Sequence, residues 1–546
     1  IKKWLYSDHD IFVRELISNG CDAVTKLKKL SLMGEFDEPD EPYRIDVTTS
    51  SNDKTITFTD NGIGMTEEEV EKYINQIAFS GAEAFLEQYK DKATEEQIIG
   101  HFGLGFYSAF MVADKVTIET KSYKDDEDAV YWECKDGLEY SMKKCVKADR
   151  GTTITLYLNE DSYEFANEYR IKEVIDKYCS FMPVEIYYTN ADAPKEDPKD
   201  ATVDVDAKEV NDSTDNNNAD SKAEPDKDEK KEDKKPEAPK PLNTTTPLWA
   251  KHPNDCTDDD YKDFYRKVFH DYKEPLFWIH LNMDYPFNLK GILYFPKINT
   301  QYDNLEGTIK LYNNQVFVAD NIKEVIPEFL MLLKGCIDCP DLPLNVSRSA
   351  LQNDGFVKKI SDYITKKVAD KLSGMYKEHR EDYEKYWDDI NPFIKFGCLK
   401  DLKFLDKMKD FCIYKNLEGK YITLPEYLEA GKEKYENKVF YVTDEQAQSQ
   451  YINMFKSEGM DALIMTQTID SPFITMLEQK NENVHFYRID AELSDNFVGE
   501  ELSEETAKEY KDKLTATFEK ALDMKNLNIK VESLKDENTS SILTQP

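Results

Sequence analysis

Short segments in which apolar and polar residues alternate occur throughout the first 190 residues. The segments YRIDVTT (43–49) and TITFTD (55–60) flank the polar run SSNDK, and this order predicts a β-hairpin. Alternation in DKVTIET, AVYWEC and TTITLYL predicts three more strands, and the spacing of apolar residues in YRIKEVIDKYCSFM predicts a helix. Helices interleaved with a mostly antiparallel sheet indicate the α/β (α+β) class, with a two-layer α/β sandwich at 1–190.

The apolar pattern stops between Thr189 and Pro241, where the chain has no aromatic residue, Ile, Leu or Met. So polar a segment cannot bury enough surface to offset its ordering entropy, and we predict a disordered charged linker at 191–241. Strands LFWIHLN and KGILYFP follow, then helical patterns IKEVIPEFLMLLKG and GFVKKISDYITKKVADKLSGMY, then a second α/β unit. We therefore predict a middle domain of two α/β subdomains at 242–499 and the start of a truncated domain at 500–546.

The charge balance argues against two classes of partner. With 108 acidic and 71 basic residues the formal net charge is -37, so the chain repels nucleic-acid phosphates and anionic membrane surfaces. No apolar run reaches the ~18 residues that a membrane span needs. We expect neither nucleic acid nor membrane as a partner. The chain begins at Ile1 without a leader, which indicates a trimmed fragment.

Nine cysteines are scattered along the chain, as is typical of reduced thiols in a cytoplasmic protein. Cys336 and Cys339 form the only CxxC motif, and without a second pair a structural role is favoured over a zinc or redox site. The histidines include no HxH or HxxxH pair. We therefore predict no transition-metal site.

The predicted helix FVRELISNGCDAV carries two carboxylates and an amide on one stripe. Glu15, Asn19 and Asp22 follow one another at spacings of four and three, which brings their side chains to neighbouring turns of one face. The stripe is a candidate site. The alternative is a solvated polar face of the kind that most surface helices have.

Two glycine motifs stand at the ends of predicted elements. Asp60 to Met65 has the form DxGxG directly after a strand, which suits either a tight turn or close approach of the backbone to a ligand. Gly100 to Gly105 precedes the helical pattern FYSAFMVA and can present N–H groups to phosphate oxygens. A Rossmann site would need a βαβ frame and a Walker loop would need GK[ST], and neither is present.

The ordered combination of these motifs is far more specific than any one of them. With Gly151 and Thr152 opening a strand, residues 1–190 resemble the ATP-binding domain shared by gyrase, heat-shock chaperones, histidine kinases and MutL. The phrases DIFVRELISNGCDA, DNGIGMT, IAFSGAEAF, IGHFGLGFYSAFMVADKV and PLNVSRSALQ narrow the resemblance to the heat-shock protein 90 family, in its bacterial HtpG-type branch. The resemblance covers nearly the whole chain apart from the linker.

The resemblance implies a role for each motif residue. Asn19 resembles the residue that holds Mg²⁺ between the phosphates, Glu15 the base that orients the attacking water, and Asp22 a wall of the pocket. Asp60 is similar to the carboxylate that binds the adenine amine, and residues 80–108 resemble a lid that closes over ATP. Further nucleotide-binding positions implied by the resemblance are Gly64, Met65, Gly100, Phe102, Gly103, Gly105, Phe106 and Thr152.

Past the linker, PLNVSRSALQ resembles the family's catalytic loop, at about 343–353. It implies that Arg348 reaches the γ-phosphate and that Gln352 assists; by position alone, Arg348 is equally compatible with an ordinary surface arginine. Two positions depart from the family pattern: Phe79 stands where lysine is common, and Ala82 replaces the usual threonine.

The resemblance implies an ATP-dependent molecular chaperone that remodels partly folded client proteins. It also implies a homodimer formed through the carboxy-terminal domain and cooperation with the bacterial heat-shock protein 70 system. The run Phe329 to Leu333 suits either a client-binding surface or the core. The alternatives are a DNA-topology or mismatch-repair ATPase of the same nucleotide fold, which would need a basic DNA path, and a binding scaffold that does not hydrolyse ATP.

Overall fold

A computed structural model describes residues 8–76, 99–100, 103–135, 137, 139–193, 239–297, 307–322, 325–344, 354–491, 502–534 and 541–542. The fold divides into two compact units, one built mainly from residues up to Pro247 and the other mainly from Leu248 onward. The predicted linker falls largely outside the described residues. No helix within the described ranges is long and apolar enough to cross a membrane.

The first unit contains a seven-stranded sheet in the order β5-β4-β3-β6-β2-β1-β7. All neighbouring strands are antiparallel except β1 and β7, which are parallel. The predicted hairpin is confirmed, because Ile45 pairs with Asp60 and Ser50 with Thr55. The strands are β1 (Arg44–Ser50), β2 (Thr55–Asp60), β3 (Ala113–Lys121), β4 (Ala129–Lys135), β5 (Glu139–Cys145), β6 (Gly151–Leu158) and β7 (Glu185–Asn190).

Helices cover this sheet as a second layer. They are α1 (Ile11–Leu32), α2 (Glu67–Tyr73) and α3 (Glu168–Cys179), with 3₁₀ helices at Gly105–Met111 and Glu160–Ala166. A capping box formed by Thr66 and Glu69 starts α2, and the Asn167 side chain caps α3. Aromatic residues join the layers, since Phe12 of α1 packs edge-on against Phe58 of β2. The predicted two-layer α/β arrangement is confirmed.

The second unit contains two five-stranded sheets, with orders β11-β10-β12-β9-β8 and β14-β13-β16-β15-β17. The strands are β8 (Phe277–Met283), β9 (Leu289–Phe295), β10 (Ile309–Asn313), β11 (Val316–Asp320), β12 (Lys334–Asp338), β13 (Ile413–Asn416), β14 (Tyr421–Thr423), β15 (Lys438–Val442), β16 (Leu463–Ile464) and β17 (His485–Arg488). The helices are α4 (Asp258–Phe269), α5 (Asp354–Glu378), α6 (Arg380–Lys400), α7 (Leu402–Met408), α8 (Leu424–Gly431), α9 (Ser449–Ser457), α10 (Asp470–Lys480) and α11 (Glu504–Leu522).

The helix predicted for IKEVIPEFLMLLKG is wrong. Among its described residues only Glu328–Leu332 is helical, as a short 3₁₀ turn after Pro327, and Lys334 begins β12. Pro327 has no N–H to donate and its ring disfavours a helical turn before it, which agrees with its position at the start of the 3₁₀ turn and not inside an α-helix. Phe329, Leu330 and Leu333 are buried, so this run belongs to the core.

The CxxC cysteines are also buried in this unit. Cys336 lies within β12 and Cys339 directly follows it. Burial raises the pKa of both thiols well above the usual range, so both are held as neutral thiols. This environment agrees with the structural role favoured from the sequence.

Candidate nucleotide site

Helix α1 carries the polar stripe, and the structure buries most of it. Glu15 is 6% exposed and Asp22 is 5% exposed, while Asn19 is half-buried. Their apolar neighbours Leu16 and Ile17 pack into the core, which fixes the orientation of the helix. Because Glu15 and Asp22 are buried, the alternative of a solvated polar face is wrong. Buried carboxylates require hydrogen-bonding partners.

Asp22 binds the start of the glycine-rich loop with both of its carboxylate oxygens. Oδ1 accepts from the Ile99 N–H and Oδ2 from the Gly100 N–H, each at 2.7 Å. A Cβ added to Gly100 would lie 3.0 Å from Asp22 Oδ2 and 3.9 Å from Asn19 Oδ1. Asp22 therefore acts as a positioning residue that holds this loop close above Asn19.

Glu15 contacts the other end of the same loop. Its Oε1 accepts from Arg14 Nη2 at 2.7 Å and Nε at 2.9 Å, and both side chains are buried. A Cβ added to Gly105 would lie 2.7 Å from Glu15 Oε2, so a larger residue would displace the carboxylate. Gly105 thus allows the loop to approach the acid that α1 presents.

Asp60 ends strand β2 next to α1 and opposite Thr152 of β6. Its Oδ1 accepts from the Gly62 N–H at 2.9 Å, and a Cβ added to Gly20 of α1 would lie 3.5 Å from Asp60 Cβ. Burial raises the pKa of Asp60 to about 7, although hydrogen bonds from the Gly62 and Thr152 backbone favour the ionised form. The carboxyl group therefore titrates near neutral pH.

The DxGxG segment continues from Asp60 across the ends of β3 and β6. Gly64 has φ +63°, and an added Cβ would lie 1.8 Å from the Lys121 carbonyl oxygen, so only glycine fits. The next residue, Met65, donates its N–H to Thr120 Oγ1 at 2.9 Å, and the Thr120 and Thr152 hydroxyls are 3.0 Å apart. The tight turn predicted as one alternative is thus present, and the close approach at Gly64 is to the Lys121 backbone.

Two family models match this chain. The model described as "Hsp90 protein" matches residues 164–544, and the model "Histidine kinase-, DNA gyrase B-, and HSP90-like ATPase" matches residues 6–149. This chain belongs to the HSP90 family.

Curated relatives agree with this assignment. The chain is 42% identical to "Chaperone protein HtpG" of Bacteroides thetaiotaomicron, in an alignment that covers 100% of this chain and 76% of the relative. Identity to the HtpG chaperone of Porphyromonas gingivalis is 41% over the same shares, and to that of Desulfitobacterium hafniense it is 30%, over 87% of this chain and 71% of the relative. The chain is an ATPase and an ATP-dependent chaperone, and the DNA-topology alternative is not favoured.

Sequence reasoning missed two residues beside this HSP90-family site. Thr120 accepts a hydrogen bond from the Met65 N–H, and its hydroxyl also bonds to the Thr152 hydroxyl. The sequence could have indicated this contact only through the pairing of Thr120 with Thr152, which depends on the register of β3 and β6. Lys26 stands four residues after Asp22, and burial lowers the pKa of its ammonium group while Asp22 and Glu69 oppose that shift.

Several predicted residues lie outside the described part of the chain. These are Phe102, Arg348, Gln352, Phe79, Ala82 and most of the lid. The loop end is described: Gly103 has φ +62° and Phe106 is buried edge-on against Phe110 and Trp132. The helix expected for FYSAFMVA is a 3₁₀ helix that ends at Met111 before β3.

Proposed function

We propose that the HSP90-family ATPase site of this chain lies between α1 and the two glycine motifs. The observation that carries this proposal is that one helix contacts both motifs: Asp22 and Glu15 meet the 100–105 loop, and Gly20 packs against Asp60. Rigid helical geometry keeps a base and a metal ligand in fixed relation, as an ATPase requires.

In this proposal Asp60 binds the adenine ring. Its ionised carboxylate accepts a hydrogen bond from the exocyclic amine, with Thr152 assisting through a water molecule and Gly64 and Met65 bordering the base. Support comes from the pairing of Asp60 with Thr152 across β2 and β6 and from the tight backbone at Gly64. The phosphates would follow toward the Gly100, Phe102, Gly103, Gly105 and Phe106 loop.

Asn19 would hold Mg²⁺, which neutralises phosphate charge when bound. The residues fit this ion, because Asn19 presents an amide oxygen beside Gly100, and no described group hydrogen-bonds to its side chain. Mg²⁺ commonly takes few protein ligands and keeps phosphate and water oxygens. Glu15 would orient the attacking water, with Arg14 holding its other oxygen.

We further propose that Arg348 and Gln352 complete catalysis from the middle domain. A guanidinium remains charged and matches phosphate oxygens in a planar fork, which suits Arg348 to the γ-phosphate. The same proposal includes the domain boundaries, namely an ATP-binding domain at 1–190 with a lid at 80–108, a linker at 191–241, a middle domain at 242–499 and the start of a further domain at 500–546.

We also propose that the protein remodels partly folded clients, forms a homodimer, cooperates with the heat-shock protein 70 system and is located in the cytoplasm.

Asp60→Asn tests the adenine assignment. The amide would present a donor where the adenine amine also donates, so we expect ATP and ADP affinity to fall by a factor of about 100 or more, measured by calorimetry. Asp53→Asn, an exposed change in the hairpin turn, is the matched control and should bind normally. Near-normal affinity in a folded Asp60→Asn protein would contradict the assignment.

A further inference from the structure

A row of polar side chains crosses three strands of the first sheet. Asp60 of β2 pairs with Thr152 of β6, and Thr152 pairs with Thr120 of β3. Residues that pair directly on antiparallel strands point to the same face of a sheet. Phe58, two residues before Asp60, points to that face as well and packs against Phe12 of α1. The polar row therefore lies on the face that α1 covers.

Thr120 links two residues that border the proposed adenine site. Its Oγ1 accepts a hydrogen bond from the Met65 N–H at 2.9 Å and lies 3.0 Å from Thr152 Oγ1. Met65 ends the DxGxG segment that follows β2, and Thr152 is the second residue of β6. One hydroxyl group therefore connects the glycine motif to the strand that carries Thr152.

The surroundings of Thr120 fix the direction of its hydrogen bonds. A threonine hydroxyl has one proton to donate and can accept two hydrogen bonds. The Met65 N–H can only donate to Thr120, which is 0% exposed, and the described residues offer the Thr120 proton no acceptor other than Thr152. A buried donor without an acceptor is costly, so Thr120 donates to Thr152. The Thr152 proton then points away from Thr120.

We propose that Thr120 is a positioning residue for adenine recognition, which fixes the Met65 backbone and the direction of the Thr152 hydroxyl. This inference rests on the proposed function, in which Asp60, Met65 and Thr152 lie around the base. The Asp60 carboxylate accepts a hydrogen bond from the Thr152 N–H, so both polar groups assigned to the base depend on the position of Thr152. Thr120 acts on the base only through Met65 and Thr152.

The direction of these hydrogen bonds favours adenine over a 6-oxopurine. A Thr152 hydroxyl that donates into the site, through a water molecule, suits the ring nitrogen N1 of adenine, which is an acceptor. In hypoxanthine N1 carries a proton, and the neighbouring oxygen faces the Asp60 carboxylate, so like groups oppose each other at both positions. This discrimination requires that Thr152 and Met65 keep one orientation, which Thr120 provides.

The ratio of ADP affinity to IDP affinity, measured by calorimetry on the full chain, tests the proposal. IDP carries hypoxanthine on the same ribose and phosphates. Thr120→Val keeps the shape of the side chain without its hydroxyl, so we expect the ratio to fall about fivefold or more. Thr120→Ala should give the same result, and Thr120→Ser, which restores the hydroxyl, should recover most of the ratio. Partial unfolding lowers both affinities by the same factor, so a merely structural role would leave the ratio unchanged.

Thr155→Val is the matched control. Thr155 lies three residues after Thr152 on β6 and so points to the opposite face of the sheet. Its Oγ1 lies 3.1 Å from Thr57 Oγ1 on β2, so the substitution removes a cross-strand pair of hydroxyls of the same kind. The ADP to IDP ratio of Thr155→Val should equal that of the wild-type protein.

Equal ADP and IDP affinity in the wild-type protein would overturn the proposal, and so would a wild-type ratio in Thr120→Val. A fall that Thr120→Ser does not recover, or that Thr155→Val shares, would also overturn it, because the Thr120 hydroxyl would not be its cause. Normal ADP affinity in Asp60→Asn contradicts the adenine assignment itself. Loss of ADP affinity in Asp60→Asn together with an unchanged ratio in Thr120→Val contradicts only the role of Thr120.

Discussion

Helices α1 and α11 are 22 and 19 residues long and both are amphipathic, but their surroundings differ. Helix α1 buries charged side chains, including Arg14, Glu15 and Asp22, each bonded to a specific partner. In the part of the chain that the structure describes, no residue of helix α11 is buried. Its apolar side chains recur every fourth residue and are 37–57% exposed: Tyr510, Leu514, Phe518 and Leu522.

The comparison separates two kinds of information in an amphipathic pattern. The apolar stripe indicates which face of a helix can pack, but it does not indicate whether a partner covers that face. In α1 the polar face is covered as well, because Ile99 and Gly100 bond to Asp22 and Gly105 lies against Glu15. Burial of the polar stripe on α1 therefore favours a candidate site over a solvated face.

The largest expected difference between the helices is in ATP turnover. Glu15→Gln keeps an oxygen for Arg14 but removes the charge that would orient water, so turnover should fall by a factor of about 10²–10⁴ with nearly unchanged nucleotide affinity. Phosphate release and calorimetry measure the two quantities. Glu509→Gln, an exposed change on α11, should leave both unchanged. Normal turnover in Glu15→Gln would assign the base to another residue.

Substitutions on the apolar faces of the two helices should also differ, in this case in their effect on the free energy of unfolding. Leu16 is 3% exposed in α1 and Leu514 is 37% exposed in α11. Leu16→Ala should lower the free energy of unfolding of the first unit by about 2–5 kcal/mol through the cavity it leaves, against less than about 1 kcal/mol for Leu514→Ala in the second unit. Hydrogen exchange resolves the units separately. Equal losses would mean that α11 is covered in solution.

Each of the two helices has a carboxylate that accepts a hydrogen bond from a backbone N–H group, so these two carboxylates can be compared directly. Asp22 accepts from Ile99 and Gly100 in a buried site, and Glu519 of α11 accepts from the Asn526 N–H at the surface. Asp22→Asn places a donor against an N–H and should cost about 1–3 kcal/mol, with faster amide exchange at Ile99 and Gly100. Glu519→Gln should change stability by no more than ~0.5 kcal/mol. Unaltered amide exchange at Ile99 and Gly100 in the Asp22→Asn protein would show that Asp22 does not position this loop.

The smaller of the two functional effects concerns pH. Burial raises the pKa of Asp60 from 3.8 to about 7, so the folded protein retains a proton that the unfolded chain releases, and this group's contribution to stability is lost as pH rises from about 4 to 7. An amine donor requires the ionised form, so affinity for adenosine should fall by up to about tenfold per unit as pH drops below 7. Adenosine has no phosphate to titrate, and calorimetry at pH 5.5–8 measures the effect. A constant affinity would contradict this role of Asp60.

Sequence patterns predicted the strands of the first sheet wherever one face is buried. They missed β5, because that edge strand is mostly exposed and does not alternate, and β7, whose parallel pairing with β1 is nonlocal. They also missed β10 and β11, and they predicted a helix where the structure has only a 3₁₀ turn after Pro327 and then β12. The glycine motifs were apparent, because glycine spacing is a property of the chain itself.

The amino-acid sequence by itself determined the family, the ATPase class and the polar stripe on α1, because these depend on residue identity and on the period of a helix. Only the tertiary structure decided that Asp22 accepts hydrogen bonds from the Ile99 and Gly100 N–H groups and that burial raises the pKa of Asp60 to about 7. It alone paired the Lys395 ammonium group with the Asp470 carboxylate, 75 residues away in the chain. Burial and nonlocal hydrogen bonds arise from elements distant in sequence, and no local pattern specifies them.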